Sequence, residues 1–523
     1  MASPLTFRRR FLEQLPGDPR PDNTTRLVRG ACWSRVLPTP VAAPRLLAWS
    51  RPLAQELGLD ELRMQDAATT QVLAGNNLWP GMDPYAANYG GHQFGHWAGQ
   101  LGDGRAIVLG ELERRDGTSV ELQLKGAGPT PYSRRADGRA VLRSSLREFL
   151  CSEAMHHLGV PTTRALSLVA TGEGVVRDMF YDGNPRAEPG AIVCRVAPSF
   201  LRFGSFELPC SHGDVALLRR LADHVLTTFF PELGAPSANA YARLYQEITR
   251  RTAELVAHWQ AIGFVHGVMN TDNMSLLSLT IDYGPYGWID DFDFGWTPNT
   301  TDAGMRRYAF GNQPSIALWN VLRLGEAMLP LLGDESLLDA AAASFQHTYA
   351  AAEVRRYGAK IGLAGERQAG DEALLRDLVL WLSAQPIDMT LFFRALADVA
   401  RLDRLPPALP AGLCATFYGE VPTDHEVAGQ AWLTRWWRRV REGRDGDRVA
   451  AAMDAVNPRF VLRNWVAQLA IEAAEQGDLA PLQRLQRALE RPFDTPAEFD
   501  DLVQKRPEWA RHKPGCSALS CSS

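Results

Sequence analysis

The most informative stretch of this chain is His266-Gly-Val-Met-Asn-Thr-Asp-Asn273, which is followed shortly by Ile281-Asp-Tyr-Gly284. Apolar residues recur at helical spacing just before it, at Tyr245, Ile248, Leu255, Val256, Trp259 and Ile262. Gly263 is typical of the end of such a helix. The apolar run 274–281 predicts a buried hairpin, which would deliver the carboxylate of Asp282 to the same place.

The order of these residues is similar to that in the catalytic loop of protein kinases. There, a His is followed two residues later by the Asp that accepts the substrate proton and five residues after that by a metal-binding Asn; a later Asp-Phe-Gly holds the second metal ligand. Here His266 and Asn273 keep that separation, and Asp282 begins an Asp-Tyr-Gly. Val268 occupies the position of the kinase base, whereas a carboxylate appears at Asp272. The pattern indicates nucleotide chemistry other than γ-phosphoryl transfer; a plain turn is the alternative.

The same comparison requires a glycine-rich turn, a strand lysine and a helix glutamate upstream, in that order. A turn with many glycines, among them Gly102 and Gly104, leads into Arg105 and the strand-like segment 106–109. Glycines let backbone N–H groups approach phosphate oxygens without obstruction, and the arginine adds a cation. The sequence therefore predicts a phosphate-binding turn.

Lys125 and Glu148 fit the other two positions. Residues 120–125 alternate between apolar and polar, which places Lys125 on the polar face of a predicted strand. In the next helix, an apolar stripe over 142–158 leaves Glu148 off it, where it can pair with the lysine. The alternatives are a solvated lysine and a capping box from Ser145 to Glu148, although the stripe already begins before that box.

Polar residues between these motifs also suit a nucleotide. Asp137-Gly138 is typical either of the cap and turn before a helix or of a nucleotide contact, and chemistry alone favours neither. Arg195 and Arg202 bracket a proline-containing turn, from which two guanidinium groups could converge on one polyphosphate. Solvated surface arginines are the alternative.

Six segments together resemble the selenoprotein O family. They are Gly-Gly-His-Gln-Phe-Gly-His-Trp-Ala-Gly-Gln-Leu-Gly-Asp-Gly-Arg (90–105), Gln-Leu-Lys-Gly-Ala-Gly-Pro-Thr-Pro-Tyr-Ser-Arg (123–134), Arg-Val-Ala-Pro-Ser (195–199), His-Gly-Val-Met-Asn-Thr-Asp-Asn-Met-Ser (266–275), Ile-Asp-Tyr-Gly-Pro (281–285) and Asn-Pro-Arg-Phe-Val-Leu-Arg-Asn-Trp (457–465). The resemblance implies an α+β, bilobal, protein-kinase-like fold with an N-terminal extension and additional C-terminal helices. It also implies a protein adenylyltransferase that moves AMP from ATP to protein hydroxyls, with the nucleotide bound in a flipped orientation.

Carried onto matching positions, the resemblance implies a specific set of roles. Asp272 would accept the proton, Lys125 and Glu148 would complete the catalytic set, and Asn273 with Asp282 would bind Mg2+ or Mn2+. The expected nucleotide contacts are Gly102, Gly104, Arg105, Lys125, Asp137, Gly138, Arg195, Arg202 and Asp282. The expected substrates are ATP and proteins bearing Ser, Thr or Tyr hydroxyls, with pyrophosphate released.

Two alternatives to adenylyl transfer remain, and two departures from the family pattern are visible. A kinase that transfers the γ-phosphate and an ATP-binding pseudokinase scaffold would use many of the same residues. The segment between Arg177 and Arg195 looks like a turn insertion. Some family members have a cysteine after the Asp-Tyr-Gly that pairs near the carboxyl terminus; residues 290–298 contain none here, which puts such redox control in doubt.

Composition is compatible with these predictions without producing them. The chain has 523 residues, of which 46% are hydrophobic and 22% charged, as in ordinary globular proteins. A net charge of -5 shows no footprint of nucleic-acid binding. We expect no membrane span, no secretory signal and a monomer in the cytoplasm, with a mitochondrial location left open. The seven cysteines lack Cys-x-x-Cys spacing, which argues against zinc and a disulfide scaffold.

The sequence predicts four regions. They are an amino-terminal extension packed on the core (1–84), a small lobe with the glycine-rich loop (85–205), a large lobe with the catalytic loop (206–400) and a helical region with a cysteine-containing tail (401–523). Within them, helices are predicted over Leu46–Leu57, Phe460–Glu475 and Leu479–Leu489. The cysteines at 32, 151, 194, 210 and 414 are expected to be buried, whereas Cys516 and Cys521 lie in the small-residue tail.

Overall fold

An antiparallel sheet dominates the amino-terminal part of the chain. The computed structural model describes residues 5–179, 182–363 and 368–520. Its strands are β1 (Phe7–Arg8), β2 (Trp33–Arg35), β3 (Arg45–Trp49), β4 (Tyr85–Ala87), β5 (Gly90–Gln93), β6 (His96–Gln100), β7 (Ala106–Glu113), β8 (Ser119–Lys125), β9 (Arg164–Arg177), β10 (Arg186–Ala197), β11 (Phe264–Val265) and β12 (Gly287–Trp288). The main sheet has the order β2-β4-β7-β8-β10-β9-β3, with β1 added on β7, and its neighbours are antiparallel.

Helices make up most of the remainder. They are α1 (Arg10–Gln14), α2 (Arg51–Glu56), α3 (Glu61–Gln65), α4 (Ala67–Leu73), α5 (Leu142–His157), α6 (Phe203–Ser211), α7 (Val215–Phe229), α8 (Ala238–Ile262), α9 (Gln313–Leu332), α10 (Ser336–Lys360), α11 (Asp371–Ser383), α12 (Met389–Arg401), α13 (Ala411–Cys414), α14 (Thr423–Arg441), α15 (Gly446–Asp454), α16 (Asn464–Glu475) and α17 (Ala480–Leu489). The predicted α+β class is confirmed.

The main sheet is covered on both faces. On one face α5 packs through Leu146 and Phe149, which join a core that continues into α7, α8 and α9. On the other, residues before the glycine-rich turn pack against it, with Leu53 and Leu73 buried beside Leu122. Because β1, β2 and β3 are strands of this sheet, these three segments of the amino-terminal region are part of its hydrogen-bonded framework.

The helix predicted over Leu46–Leu57 is wrong in its first half. The chain is extended in β3 and becomes helical only at α2. Ser50 caps that helix by accepting a hydrogen bond from the backbone N–H of Leu53 at 3.3 Å. Pro52 occupies the first turn, where a missing N–H is tolerated, and would have broken a helix running through it.

The elements that carry the catalytic loop differ in one respect from expectation. Helix α8 ends as predicted at Gly263, which adopts a left-handed conformation (φ 74°). The run 274–281 is mostly buried but forms no strand among the described residues. It makes single bridges, such as Met274 with Thr280, and turns at Ser278 with φ 53°. It nevertheless brings the chain back to Asp282.

The carboxyl-terminal region is helical and reaches back to the segment after Asp282. Helix α16 begins at Asn464, four residues later than predicted, because Arg463 is held in extended chain by Asp388 (2.8 Å) and Asp290 (2.6 Å). Leu519 is fully buried, and its backbone carbonyl accepts a hydrogen bond from the N–H of Thr300 at 2.8 Å. The tail therefore packs on the loop that follows the site.

Some cysteines lie elsewhere than expected. Cys32, Cys151 and Cys194 are buried as predicted, but Cys210 and Cys414 are only partly buried. Cys516 is buried although it lies in the tail, and Cys521 lies outside the described residues.

Helix α9 is the most apolar long helix. Among the described residues, the segment Phe310–Leu332 is long and apolar enough to cross a membrane. Half of its most apolar 18-residue stretch is buried inside the protein. The helix supports the catalytic loop through two polar side chains. Gln313 accepts a hydrogen bond from the His266 N–H at 2.9 Å, and Asn320 donates to the Met269 carbonyl at 3.0 Å. Its apolar faces are those of a core helix, packed against α8.

Candidate active site

A cavity of about 690 Å³ lies between the main sheet and the catalytic loop. It is lined by most of the predicted site residues, namely Gly102, Gly104, Arg105, Lys125, Asp137, Gly138, Arg195, Asp272, Asn273 and Asp282. Of the predicted set, Glu148 and Arg202 lie behind the lining instead. A cavity of this size is in the range that binds nucleotides and other small ligands.

The predicted ion pair between Lys125 and Glu148 is confirmed. Lys125 Nζ lies 2.6 Å from Glu148 Oε2, and Arg195 donates to the other carboxylate oxygen. Burial lowers the pKa of Lys125 to about 8, although Glu148 opposes the shift. Burial alone would raise the pKa of Glu148, but Arg195 and Lys125 outweigh it and hold it below its usual value. Glu148 therefore acts as a positioning residue for two cations.

The polar face of β8 is not exposed to solvent. This excludes the alternative that Lys125 is a solvated lysine on a strand. Lys125 is only 7% exposed, and its neighbours on the same face are also buried. Glu121 accepts hydrogen bonds from the Tyr85 hydroxyl at 3.1 Å and the Phe200 N–H at 3.0 Å. Gln123 accepts from Arg195 at 3.1 Å. The face is a buried polar layer directed toward the cavity.

Replacing Lys125 by Met should lower the rate of the expected adenylyl transfer roughly 10²-fold. This is the usual effect of removing one preorganised hydrogen-bond donor that stabilises charge developing on the phosphate. The fold should survive, because Glu148 keeps its second partner, Arg195. Transfer of label from α-labelled ATP, measured alongside a thermal melt, tests both statements. Loss of the cooperative melt would show that the lysine is structural.

Asp282 is held by two arginines, which differs from the predicted arrangement. Arg195 Nη2 lies 2.8 Å from Oδ1, and Arg202 Nη1 lies 2.7 Å from Oδ2. Burial opposes ionisation, but Arg202 and then Arg195 hold the pKa of Asp282 well below its usual range. The two guanidinium groups thus converge on the Asp282 carboxylate, whereas the sequence predicted that they converge on a polyphosphate. Arg202 is 2% exposed, so its predicted direct contact with nucleotide is not supported by this arrangement.

Arg202 also braces the catalytic loop. The same Nη1 donates to the backbone carbonyl of Asp272 at 2.8 Å, and its guanidinium lies 4.3 Å from the ring centroid of Tyr89. On the other side of the loop, His266 Nε2 lies 2.8 Å from the carbonyl oxygen of Ile281, which fits a donated hydrogen bond from a neutral ring. These contacts tie the loop to the turn that carries Asp282.

Asp272 is a buried carboxyl with a free oxygen. Its Oδ1 has no hydrogen-bond partner, while Oδ2 accepts from Gln93 at 3.3 Å. Burial raises the pKa of Asp272 to about 7, against the opposing charge of Arg202. A pKa near neutrality suits a general base. Val268 lines the cavity at the kinase-base position and offers no proton acceptor in its side chain.

The hairpin β5–β6 lies directly on the catalytic loop. The His92 N–H donates to the Thr271 hydroxyl at 2.7 Å. A Cβ on Gly91 would lie 2.9 Å from Asp272 Oδ1, so any side chain there would displace the base. Gly91 is therefore needed because the backbone of the hairpin lies close to the Asp272 side chain.

Gly102 and Gly104, which line the cavity, also pack against protein. Gly102 (φ 69°) packs on the Tyr132 ring, which a Cβ would overlap, and a Cβ on Gly104 would lie 3.0 Å from the Tyr132 carbonyl oxygen. Asp137 is not a helix cap, because α5 begins at Leu142. It pairs instead with Arg177 at 2.7 Å on the cavity wall.

The oxygen atoms at the inner end of the cavity fit a divalent cation. Asn273 donates its Nδ2 hydrogen to the Val268 carbonyl at 2.9 Å, which leaves Oδ1 as an acceptor. Together with the Asp282 carboxylate, which also lines the cavity, this is a pair of hard-oxygen donors of the kind that Mg2+ or Mn2+ prefers. No cluster of three His, Cys, Asp or Glu occurs in the described part of the chain, so water and phosphate would supply further ligands.

Sequence reasoning missed several cavity residues. Gln93 bonds the predicted base, and Asp103 is a buried carboxylate that accepts from Gln123 at 3.2 Å. Both lie within the glycine-rich segment 90–105, in which only the glycines and Arg105 were predicted to contact the nucleotide. Arg139 and Arg177 also line the wall. They carried no local signal, because only the fold brings them to the cavity.

The raised pKa of Asp272 predicts a pH dependence of transfer. A base works only when deprotonated, so kcat/KM should rise with pH through about 7. It should fall again above about 8, where Lys125 loses the charge that neutralises phosphate. A bound divalent cation would move the midpoint to lower pH and keep the sign. A pH series with α-labelled ATP measures this, and Asp272→Ala should flatten the rising part of the profile. A rate that falls across the same range would contradict the assignment.

Comparison with known proteins identifies the family. The family model described as "Protein adenylyltransferase SelO" matches residues 25–490. A protein of Azoarcus sp. named protein nucleotidyltransferase YdiU is 57% identical, over 99% of this chain and 100% of that protein. Proteins of the same name from Xanthomonas campestris and Nitrosospira multiformis are 57% and 53% identical, over 99% of this chain and 99% and 96% of their own lengths. This chain therefore belongs to the protein adenylyltransferase SelO family, as its motifs predict.

Proposed function

We propose that this protein transfers AMP from ATP to hydroxyl side chains of proteins and releases pyrophosphate. The observation that carries the proposal is Asp272, a buried carboxyl with a free oxygen and a pKa near 7 beside Asn273, while Val268 occupies the kinase-base position. Relatives that are named protein nucleotidyltransferases and align over nearly the whole chain support it.

In the proposed reaction, Asp272 accepts the proton of a Ser, Thr or Tyr hydroxyl as its oxygen attacks the α-phosphorus of ATP. A bond from oxygen to the α-phosphorus forms, and the bond to the bridging oxygen of pyrophosphate breaks. Lys125 and Arg195, both held by Glu148, would neutralise phosphate charge from the sheet side, and Arg105 from the turn. A Mg2+ or Mn2+ ion at Asn273 and Asp282 would supply further neutralisation of the triphosphate.

We also propose that the fold is kinase-like and bilobal, with boundaries near residues 85, 206 and 401. The arrangement of three groups supports this: a strand lysine paired with a helix glutamate, a loop after a long helix, and an aspartate that follows the loop. Nucleotide orientation then determines which phosphorus reacts, because catalysis is mostly positioning. A flipped nucleotide would present its α-phosphate to Asp272.

Two rival functions predict different products. ATP labelled separately at the α- and γ-phosphates, incubated with the enzyme, Mg2+ and a cell protein extract, separates them. Label from the α-position on protein means adenylyl transfer, and label from the γ-position means kinase activity. Label from neither position, with ATP still bound, would mean a scaffold. The Asp272→Ala protein is the matched control for each arm.

A further inference from the structure

Hairpin β5–β6 is fastened to the catalytic loop on both sides of Gln93. The N–H of His92 donates to the Thr271 hydroxyl at 2.7 Å, and the N–H of Phe94 donates to Asn270 Oδ1 at 3.1 Å. Both contacts use the backbone of the hairpin, so neither depends on the side chain at position 93. The backbone of Gln93 is therefore fixed relative to the loop independently of its side chain.

Neighbouring elements hold the hairpin in this position. Helix α6 packs along β5, and the buried carboxylate of Glu207 on that helix lies 2.5 Å from His92 Nδ1. The Tyr308 hydroxyl accepts a hydrogen bond from the Phe94 N–H at 3.0 Å and donates one to Asn270 at 2.6 Å. Loss of a single side-chain contact between hairpin and loop should therefore leave both of them in place.

The side chain of Gln93 connects this fixed backbone to Asp272. Its Nε2 donates to Asp272 Oδ2 at 3.3 Å, and both residues line the cavity. At the other oxygen of the carboxyl, the backbone of Gly91 lies so close that a Cβ there would come within 2.9 Å of Oδ1. The carboxyl group is therefore held between two residues of the same hairpin, which fixes the direction of its oxygens.

The hydrogen bond from Gln93 is the polar constraint on this carboxyl. Within residues 5–179, 182–363 and 368–520, no other side chain donates a hydrogen bond to it. Proton transfer requires the hydroxyl and the base to lie within hydrogen-bond reach of each other. A misplacement of about 1 Å in such a geometry can lower the rate roughly 10²-fold. Removal of the contact should therefore slow proton transfer although the loop keeps its place.

We propose that Gln93 is a positioning residue for adenylyl transfer, which holds the Asp272 carboxyl in the orientation that accepts the proton of the attacking hydroxyl. Gln93 takes up no proton itself and acts through Asp272. The proposal rests on the proposed function, in which Asp272 is the base. It gives the glycine-rich segment 90–105 a task in the chemical step, in addition to the nucleotide contacts expected of that segment.

Gln93→Met tests the contact, because methionine keeps the length of the side chain and removes the N–H donor. With α-labelled ATP, Mg2+ and a fixed amount of cell protein extract, this variant should lower kcat roughly tenfold and leave the KM for ATP unchanged. Its thermal melt should stay close to that of the parent. A parental kcat, a KM for ATP that rises at constant kcat, or loss of the cooperative melt would overturn the proposal.

Gln100→Met is the matched control in the same hairpin. The Gln100 side chain bonds the amino-terminal extension instead of the base: it accepts from the Val28 N–H at 2.7 Å and donates to the Arg26 carbonyl at 2.9 Å. This variant should keep the parent's kcat, because the hairpin is fastened to the loop at other residues. An equal fall in kcat in both variants would show a general effect on the hairpin and overturn the proposal.

A double variant shows whether Gln93 acts through Asp272. In the Asp272→Ala protein, Gln93→Met should cause no further loss of the residual rate, because no carboxyl remains to be positioned. A further tenfold loss would mean that Gln93 acts on the substrate or the fold directly, which overturns the proposal. Transfer of α-label that depends on Asp272 but not on Gln93 would overturn this proposal alone. No α-label with the parent protein would overturn adenylyl transfer itself, and the role of Gln93 with it.

Discussion

Asp272→Ala is expected to cut the rate of adenylyl transfer by roughly 10²–10⁴, the usual contribution of a general base. ATP affinity should change little, because Asn273 and Asp282 remain and Lys125 keeps its partner Glu148. The lost group is a buried carboxyl that lines the cavity and has one oxygen without a hydrogen-bond partner. Single-turnover transfer from α-labelled ATP, with nucleotide binding measured separately, distinguishes loss of chemistry from loss of binding.

A second change in the same loop separates this base from a kinase base. Val268→Asp restores a carboxylate at the kinase position, four residues before Asp272. In the Asp272→Ala background it should not recover α-transfer, because the new group would not lie where the α-phosphorus is attacked. Weak γ-transfer is the most it should allow. Recovery of α-label transfer in the double variant, or full activity in Asp272→Ala alone, would contradict the assignment of the base.

Asp282→Ala is expected to abolish transfer and to destabilise the fold. It removes a cation ligand, and it leaves Arg195 and Arg202 without the carboxylate that both of them bind. Breaking a buried ion pair from one side costs about 3–5 kcal/mol. The lower end is expected, because Arg195 keeps Glu148. The residue also has φ 56°, a conformation that alanine adopts less readily than aspartate or asparagine.

Asp282→Asn is the matched control. It keeps the size, the left-handed conformation and one acceptor oxygen while removing the charge. It should melt closer to the parent than Asp282→Ala does, yet remain nearly inactive. Activity close to that of the parent in either variant would remove Asp282 from the mechanism. Equal melting temperatures for Asp282→Ala and the parent would show that the arginines do not depend on it.

Local sequence was sufficient for much of this protein. The strand that ends at Lys125, the helix that carries Glu148 and the end of α8 at Gly263 all follow from periodicity and local signals. The helix predicted over Leu46–Leu57 is wrong in its first half, although the sequence marks the true start of the helix. Ser50 and Pro52 are typical of a helix start, but the prediction followed the spacing of the apolar residues instead.

What the sequence by itself determined is the set of reactive groups and their order along the chain, because motif spacing and side-chain chemistry are local properties. Tertiary structure alone decided which groups meet. It turned Arg195 and Arg202 onto Asp282, placed the hairpin on Asp272, and buried that carboxyl so that its pKa rises to about 7. The physical reason is that desolvation and pairing depend on residues distant in sequence, and no local pattern records them.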